Sequence, residues 1–240
     1  MNTALIVEPR DMKRIPLIIN HFLFTLGAKW KIVFYCGKNL KSKWISKVNR
    51  EVEIRELHTN NFSACEYSDF LKSKSLWESL YGEFVLVFQT DTWIMSEEPY
   101  TIDYYTSKNK SYIGGNMCYK WSNLKFRSKY WNYNGGLSLR KKIDMIKIIE
   151  TFPPEKTTEN PSEELIDKDI EFPIAVMAED VYFVKGCYEL NLPIGDTDES
   201  FNLFAQHTIF YPTGFGLHKP SMFVRTELIK LYPEIQTAYI

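Results

Sequence analysis

FVLVFQTDTW, residues 84–93, is the stretch of sequence that decides the fold. Its first half is a short run of Val, Leu and Phe, which is typical of a strand buried inside a sheet. The strand ends at Gln89, and a lone carboxylate, Asp91, follows two residues later. The pattern therefore predicts a buried strand with polar side chains at its carboxyl end.

Three similar strands precede this one, and helical patterns separate them. The strands are predicted at Thr3–Glu8, Lys31–Cys36 and Val52–Leu57. The helices are predicted at Ile15–Leu26, with Gly27 at its end, at Lys41–Val48 and at Phe62–Tyr81. Strands that alternate with helices form β-α-β units, so we expect an α/β fold with a mostly parallel central sheet flanked by helices on both faces. In such sheets, ligands bind at the carboxyl ends of the strands.

The second half of the chain is less regular. Further strands are predicted at Tyr112–Gly115 and Gly136–Arg140, and helices at Lys142–Thr151 and about Asp180–Leu190. The acidic stretch Phe152–Phe172 predicts a solvated, mobile loop, with a lid over a site as the alternative. There are no internal repeats, and we expect residues 1–240 to form one domain.

The bulk composition excludes several classes of protein. A net charge of -1 and a pI near 6.5 argue against a general nucleic-acid binder, which carries a basic face. The four cysteines lie far apart and form no Cys-x-x-Cys pair, so they indicate neither a zinc site nor a disulfide framework but reduced thiols. No signal peptide or membrane-spanning run is visible, and we expect a cytoplasmic location.

Asn134, Gly135 and Gly136 form the second candidate motif, WNYNGGLSLR at residues 131–140. Glycines let a backbone approach a ligand closely and expose its N–H groups. The alternative is a plain turn into a strand, since Asn-Gly is a common turn signal. The alternating apolar and polar residues 137–140 favour a strand at the edge of the sheet.

Two further motifs carry ionisable side chains. Glu179 and Asp180 open a predicted helix, where the helix dipole favours negative charge, but a carboxylate here is also a candidate general base. In TGFGLHKP, residues 213–220, a glycine turn presents His218 and Lys219. An imidazole can ligate a metal and an ammonium suits a diphosphate, while a surface loop with an isolated histidine is the alternative.

The loops after the first two strands form the last candidate. Glu8 and Arg10 follow the first strand, and Gly37 follows the second. Because these loops lie side by side in a parallel sheet, a pocket for a base and a ribose can form between them. A simple salt bridge between Glu8 and Arg10 is an equally good explanation.

The order of these motifs is similar to that of glycosyltransferases of the GT-A (Rossmann-like) fold. It looks especially like a poorly characterised family of small viral and bacterial glycosyltransferase-like proteins. The matching segments are ALIVEPR at 4–10, FQTDTW at 88–93, YNGGLSLR at 133–140, AEDVYF at 178–183 and GLHKP at 216–220. The resemblance therefore extends over nearly the whole chain.

The resemblance implies a role for each motif. The donor nucleotide would be bordered by Glu8, Arg10, Gly37, Gln89, Thr90, Asp91 and Lys219. The sugar and acceptor side would be lined by Asn134, Gly135 and Gly136. Asp180, with Glu179 in reserve, would be the catalytic base of an inverting enzyme. A divalent cation, Mn²⁺ or Mg²⁺, would bind Asp91 and His218.

One residue departs from the family pattern. Gln89 stands where the first Asp of the Asp-x-Asp metal motif falls, and its amide brings no charge. The resemblance predicts an enzyme that moves a hexosyl or N-acetylhexosaminyl group from a nucleotide sugar, with UDP as the default carrier, to a hydroxyl of a glycan or protein, with inversion. The alternative, which Gln89 favours, is a non-catalytic nucleotide-sugar or glycan-binding protein on the same scaffold.

Overall fold

The protein has two layers of helices around a central six-stranded sheet. The structure is a computed structural model that describes residues 1–116, 133–158, 173–197 and 199–239. Its strands are β1 (Asn2–Glu8), β2 (Trp30–Cys36), β3 (Glu53–Glu56), β4 (Phe84–Phe88), β5 (Thr92–Ile94), β6 (Tyr112–Asn116), β7 (Tyr133–Lys141) and β8 (Gly216–His218). Its α-helices are α1 (Ile15–Leu26), α2 (Lys41–Ile45), α3 (Ala64–Leu71), α4 (Lys74–Glu78), α5 (Ile102–Ser107), α6 (Lys142–Thr151), α7 (Glu179–Glu189), α8 (Met222–Leu231) and α9 (Ile235–Ala238).

The strand order in the sheet is β3-β2-β1-β4-β7-β6. The first four strands are mutually parallel, β7 runs antiparallel to β4, and β6 runs antiparallel to β7. A separate antiparallel pair joins β5 to β8 and begins four residues after β4 ends. The predicted mostly parallel sheet with helices on both faces is confirmed.

Each face of the sheet buries its own apolar cluster. In β1, Ala4 and Ile6 point into the cluster under α1, while Leu5 and Val7 point into the cluster under α3, α4, α6 and α7. This alternation explains the unbroken apolar runs in the sequence, because a strand covered on both faces has no solvent side. Among the described helices, none has the length and apolar character that crossing a membrane requires.

The predicted helix Phe62–Tyr81 is wrong as a single element, because the chain breaks between α3 and α4. Ser73 adopts an extended conformation (ψ 121°) at the start of α4. The indole Nε1–H of Trp77 donates a hydrogen bond to the Leu71 carbonyl at 2.7 Å. The indole thus takes the place of the backbone N–H that would pair with this carbonyl in a continuous helix. The apolar spacing continues across the break, so the sequence pattern alone did not reveal it.

The prediction that residues 137–140 lie at the edge of the sheet is also wrong. β7 lies between β4 and β6, and both Ser138 and Arg140 are completely buried. The polar face of the strand packs against α7, where Arg140 Nη1 donates to Glu179 Oε2 at 2.5 Å and Arg140 Nε donates to Ser138 Oγ at 2.9 Å. The alternating apolar and polar residues of this strand therefore reflect a buried ion pair and not a solvent-exposed face. A charged side chain can be buried in this way when an opposite charge pairs with it.

The predicted loop Phe152–Phe172 is described only to residue 158, and the rest lies outside the described residues. Its described part has no helix or strand but is held against α3. Asp69 Oδ1 accepts hydrogen bonds from the backbone N–H and the hydroxyl of Thr157, at 2.8 and 2.6 Å. Of the cysteines, Cys36, Cys65 and Cys187 are free thiols, as predicted, and Cys118 lies outside the described residues.

We expect Glu179→Ala to lower the free energy of unfolding by about 3–5 kcal/mol, because it leaves the Arg140 guanidinium buried without its counter-charge. Urea unfolding followed by circular dichroism measures the change. Glu83→Ala is the matched control: its carboxylate is 58% exposed beside Lys141, so its loss should cost less than about 1 kcal/mol. Equal unfolding midpoints for the Glu179→Ala protein and the wild type would contradict the prediction.

Candidate functional site

Asp91, His218 and Gln89 meet beyond the carboxyl end of β4. His218 Nε2 lies 3.3 Å from Asp91 Oδ1 and 3.1 Å from Gln89 Oε1. The β5–β8 pair brings them together, since Thr92, which follows Asp91, is paired with His218. The structure therefore brings Asp91 and His218 together, although they lie far apart in the sequence.

Lys219 lies beside the same carboxylate. Its Nζ is 3.7 Å from Asp91 Oδ2, its side chain is 61% exposed, and its backbone N–H donates to the Asp91 carbonyl. A positive φ of 43° turns the chain away from β8 at this residue. His218, by contrast, is a buried strand residue, so the alternative of an isolated histidine on a surface loop is wrong.

The charge on Asp91 is strongly favoured. Burial alone would raise its pKa, but His218 and Lys219 outweigh burial and lower the pKa to about 2. Burial lowers the pKa of His218, and Asp91 opposes that shift. At neutral pH the pair therefore consists of an ionised carboxylate beside an imidazole whose neutral form is favoured.

These side chains fit a divalent cation. Asp91 Oδ1 is buried and makes no hydrogen bond, which is unusual for a carboxylate oxygen. Neighbouring ligands around an octahedral Mg²⁺-sized ion are about 3.0 Å apart, close to the spacings that His218 Nε2 makes with Asp91 and Gln89. Within the described part of the chain, no three His, Cys, Asp or Glu side chains cluster, so a third protein donor to a cation here would have to be the Gln89 amide oxygen.

Gly136 and Gly135 pack against two different groups of polar side chains. A Cβ at Gly136 would lie 2.2 Å from His218 Nε2, and a Cβ at Gly135 would lie 2.2 Å from Glu179 Oε1 and 3.1 Å from Asp180 Cβ. Adjacent strand residues face opposite ways. The start of β7 therefore has His218 on one side and the Glu179–Asp180 pair on the other, and only glycines fit there.

The Asn134 side chain stabilises the backbone at the start of β7 and does not project into solvent. It is buried, and its Oδ1 accepts a hydrogen bond from the Gly136 N–H at 2.6 Å. The motif is therefore a strand with a side-chain-stabilised bend, and the predicted turn before the strand is already part of β7.

The two acidic residues of α7 occupy different environments. Glu179 is buried and forms an ion pair with Arg140. Asp180 is only half-buried, and burial together with the negative charge of Glu179 raises its pKa to about 6, against the opposing effects of the Val181 N–H and Arg140. With a pKa of about 6, the Asp180 carboxyl group can exchange a proton near neutral pH.

Glu8 and Arg10 form the salt bridge that the sequence left as an alternative. Arg10 Nε and Nη2 donate to the two Glu8 carboxylate oxygens, each at 2.8 Å, while the Arg10 side chain stays 57% exposed. Gly37 lies against the neighbouring loop, where a Cβ would be 2.0 Å from the Pro9 carbonyl oxygen. The loops after β1 and β2 are thus adjacent, and Gly37 is required by packing.

Three further residues lie at the edge of this site. They are Thr90 and two residues that the sequence motifs missed, Arg14 and Tyr67. Arg14 Nη2 donates to the Thr90 hydroxyl at 3.4 Å. Tyr67, on α3, has a buried hydroxyl beside Gln89, and Glu8, Glu179 and Arg140 are close enough to influence its pKa, which burial raises. Tyr67 continues the apolar pattern of the predicted helix Phe62–Tyr81, and no local signal distinguishes its hydroxyl from that of a packing residue.

The fold is that of the GT-A glycosyltransferases. Structures that it resembles include S. aureus TarS 1–349, alone and in complex with UDP-GlcNAc, with TM-scores of 0.45 and 0.46, identities of 14% and 15%, and coverage of 99% of this chain and 65% and 66% of those chains. Another is the mannosyltransferase PcManGT of Pyrobaculum calidifontis in complex with GDP-Man and Mn²⁺, with a TM-score of 0.50, 8% identity and coverage of 94% of this chain and 59% of that chain. The chain therefore spans less than two thirds of the length of these solved chains.

The chain belongs to the family described as "Protein of unknown function (DUF5672)", whose model matches residues 51–218. The matched range contains Gln89, Asp91, the Gly135–Gly136 pair and His218. No match was found among curated protein sequences.

We expect Gly136→Ala to lower the free energy of unfolding by about 1–3 kcal/mol, because the new methyl group overlaps the His218 ring. Urea denaturation of the single variant and of Gly136→Ala combined with His218→Ala measures the coupling between the two positions. Removing the ring should recover most of the loss. A cost that is the same with and without His218 would show that the two residues do not touch.

Proposed function

We propose that this protein is a nucleotide-sugar-dependent glycosyltransferase. The observation that carries the proposal is that a half-buried Asp180 with a raised pKa and the cluster of Asp91, His218 and Lys219 both pack on the first residues of β7. The Gly135 side of β7 carries a candidate proton acceptor, Asp180, and the Gly136 side carries groups suited to a diphosphate. The GT-A fold supports the same assignment.

In the proposed reaction, Asp180 accepts the proton of an acceptor hydroxyl as its oxygen attacks the anomeric carbon of the donor sugar. The bond to the nucleoside diphosphate breaks on the opposite face, so the anomeric configuration inverts. Positive charge develops on the sugar ring in such transfers. The exposed ammonium of Lys219 and the guanidinium of Arg10 stabilise the negative charge of the departing diphosphate.

A divalent cation, Mn²⁺ or Mg²⁺, is proposed to bind Asp91, His218 and Gln89, where it would supply further positive charge to the diphosphate. The donor is proposed to be a UDP sugar carrying a hexosyl or N-acetylhexosaminyl group. Its nucleotide side is assigned to Glu8, Arg10, Gly37 and Thr90, and its sugar side to residues 134–136. The acceptor is a hydroxyl of a glycan or protein.

Gln89 favours a second function, a non-catalytic nucleotide-sugar or glycan-binding protein. Its amide contacts His218 where a carboxylate would add charge for a metal ion. Such a protein would bind the donor without breaking the glycosidic bond. Slow hydrolysis of the donor in the absence of an acceptor would favour the enzyme.

We expect Asp180→Asn to reduce kcat by about 10²–10⁴-fold, the usual contribution of a general base. Because the base must be ionised, the wild-type rate should rise with pH through about 6, the pKa of Asp180. Rates measured from pH 5 to 8 and NMR of the product's anomeric configuration check both statements. Full turnover by the Asp180→Asn protein, or a product that retains the donor's configuration, would rule out the proposed displacement.

We expect nucleotide sugars to raise the Tm, with a larger increase when Mn²⁺ is present. A ligand at 100 times its Kd stabilises the folded state by about 2.7 kcal/mol. A thermal-shift panel of UDP and GDP sugars, with and without Mn²⁺, measures this. Asp91→Asn should abolish the Mn²⁺-dependent part, whereas Asp103→Asn, a surface carboxylate paired with Lys29, should leave it unchanged.

The metal assignment fails if Mn²⁺ adds nothing to the shift produced by any nucleotide sugar in the panel. The donor assignment fails separately if no nucleotide sugar raises the Tm at millimolar concentration.

A further inference from the structure

Lys72 is a completely buried lysine at the carboxyl end of α3. Its ammonium donates to three backbone carbonyls, those of Glu155 at 3.1 Å, Ala175 at 3.2 Å and Met177 at 3.1 Å. Asp69 Oδ1 lies 3.5 Å from the same nitrogen. An ammonium has three N–H donors and each carbonyl only accepts, so the number of donors matches the number of carbonyls.

The three carbonyls belong to two segments that are far apart in sequence. Glu155 follows α6, whereas Ala175 and Met177 lie in the short turn that leads into α7. The segments also pair directly: the Glu155 N–H donates to the Ala175 carbonyl and the Thr158 N–H to the Val176 carbonyl, both at 3.1 Å. Lys72 thus lies where both segments meet α3.

The contact with Met177 links Lys72 to the candidate base. Met177 lies two residues before α7 begins and three before Asp180. The ammonium also lies 5.6 Å from the ring centre of Tyr182, in the first turns of α7. The backbone that leads to Asp180 is therefore held from α3 by a buried cation.

Few other side chains can satisfy this position. A methionine matches the length of lysine but cannot donate a hydrogen bond. The Ala175 carbonyl would keep the Glu155 N–H as a donor, whereas the Glu155 and Met177 carbonyls would lose the ammonium that donates to them, which is costly. Burial lowers the pKa of Lys72, while Asp69 opposes that effect and favours the charged form. Hydrogen bonds from a charged donor are stronger than those between neutral groups.

We propose that Lys72 is a positioning residue for the transfer reaction: its ammonium fixes the entry to α7 and thereby keeps the carboxyl group of Asp180 in its half-buried place beside Gly135. This inference rests on the proposed function of Asp180. Lys72 itself touches none of Asp91, His218 and Lys219 through any described hydrogen bond or ion pair. Its removal should therefore affect the proton transfer and leave donor binding intact.

The experiment replaces the side chain and then restores its missing part. Lys72→Ala removes a propylammonium group, which can be returned as free n-propylammonium in the buffer. Lys72→Met fills the same space without the charge and leaves no room for the added amine. Lys74→Met is the surface control, because Lys74 pairs with the exposed carboxylates of Glu78 and Glu150 on the same side of the molecule.

Two properties are measured in each protein. One is kcat together with the donor KM, and the other is the Asp180 pKa, obtained by ¹³C NMR of the carboxyl group without substrate. In Lys72→Ala we expect kcat to fall about 10–100-fold, as small misplacements of catalytic groups do, with the donor KM changed less than about twofold. The Asp180 pKa should fall from about 6 towards the ordinary value, because a loosened α7 entry admits water.

n-Propylammonium should restore both properties of Lys72→Ala with a saturable concentration dependence, and it should have no effect on Lys72→Met. Should Lys72→Ala not fold, Lys72→Met gives the second test and must show the lowered kcat and Asp180 pKa. Wild-type kcat and Asp180 pKa in Lys72→Met, or a loss in Lys72→Ala that propylammonium does not reverse, would overturn the proposal.

The two proposals fail in different ways. Absence of any transfer activity in the wild type would defeat the glycosyltransferase assignment. The Asp180 titration needs no substrate, so it tests the link from Lys72 to Asp180 in either case.

Discussion

The buried ion pair between Arg140 and Glu179 is the interaction on which the site depends. It joins the carboxyl-terminal end of β7 to the first residue of α7, with Arg140 fully buried between the rings of Tyr112 and Phe183. Burial would lower the pKa of Arg140, but the charge of Glu179 outweighs it, so the guanidinium stays charged. Burial raises the pKa of the neighbouring Asp180, and the negative charge of Glu179 adds to that shift while Arg140 opposes it. The pair thus lies directly beside the half-buried carboxylate and acts on its acidity.

The glycine pair at the start of β7 is the second constraint, and it follows from the first. Because Glu179 is drawn to Arg140, its carboxylate occupies the space in which a side chain of residue 135 would lie, and His218 occupies the corresponding space at residue 136. At Gly135 and Gly136, between Glu179 and His218, β7 therefore presents its backbone. This main chain beside charged side chains is the surface on which the proposed sugar and diphosphate would pack.

Much of the fold was predictable because the relevant forces act locally. The apolar runs of β1, β2 and β4 are buried on both faces, and helices with an amphipathic pattern, such as α1 and α6, end within a few residues of their predicted bounds. The break at Ser73 was not predictable from spacing, because the bond from Trp77 to Leu71 that stabilises it leaves the apolar pattern unchanged. The buried position of β7 was misjudged for a related reason: an alternating polar strand has the same pattern whether its polar face meets water or Glu179.

The sequence by itself determined the class of fold, the polar residues at the strand ends and the missing carboxylate at Gln89, because apolar periodicity and side-chain chemistry are properties of short segments. Only the tertiary structure decided which of those residues meet: Gln89 with His218, Arg140 with Glu179 and Lys72 with Met177. The physical reason is that a charge or hydroxyl acquires its pKa and its partners from burial beside distant segments. Glu179 and Asp180 are adjacent carboxylates. Packing alone places Glu179 in an ion pair with Arg140 and leaves Asp180 half-buried beside Gly135.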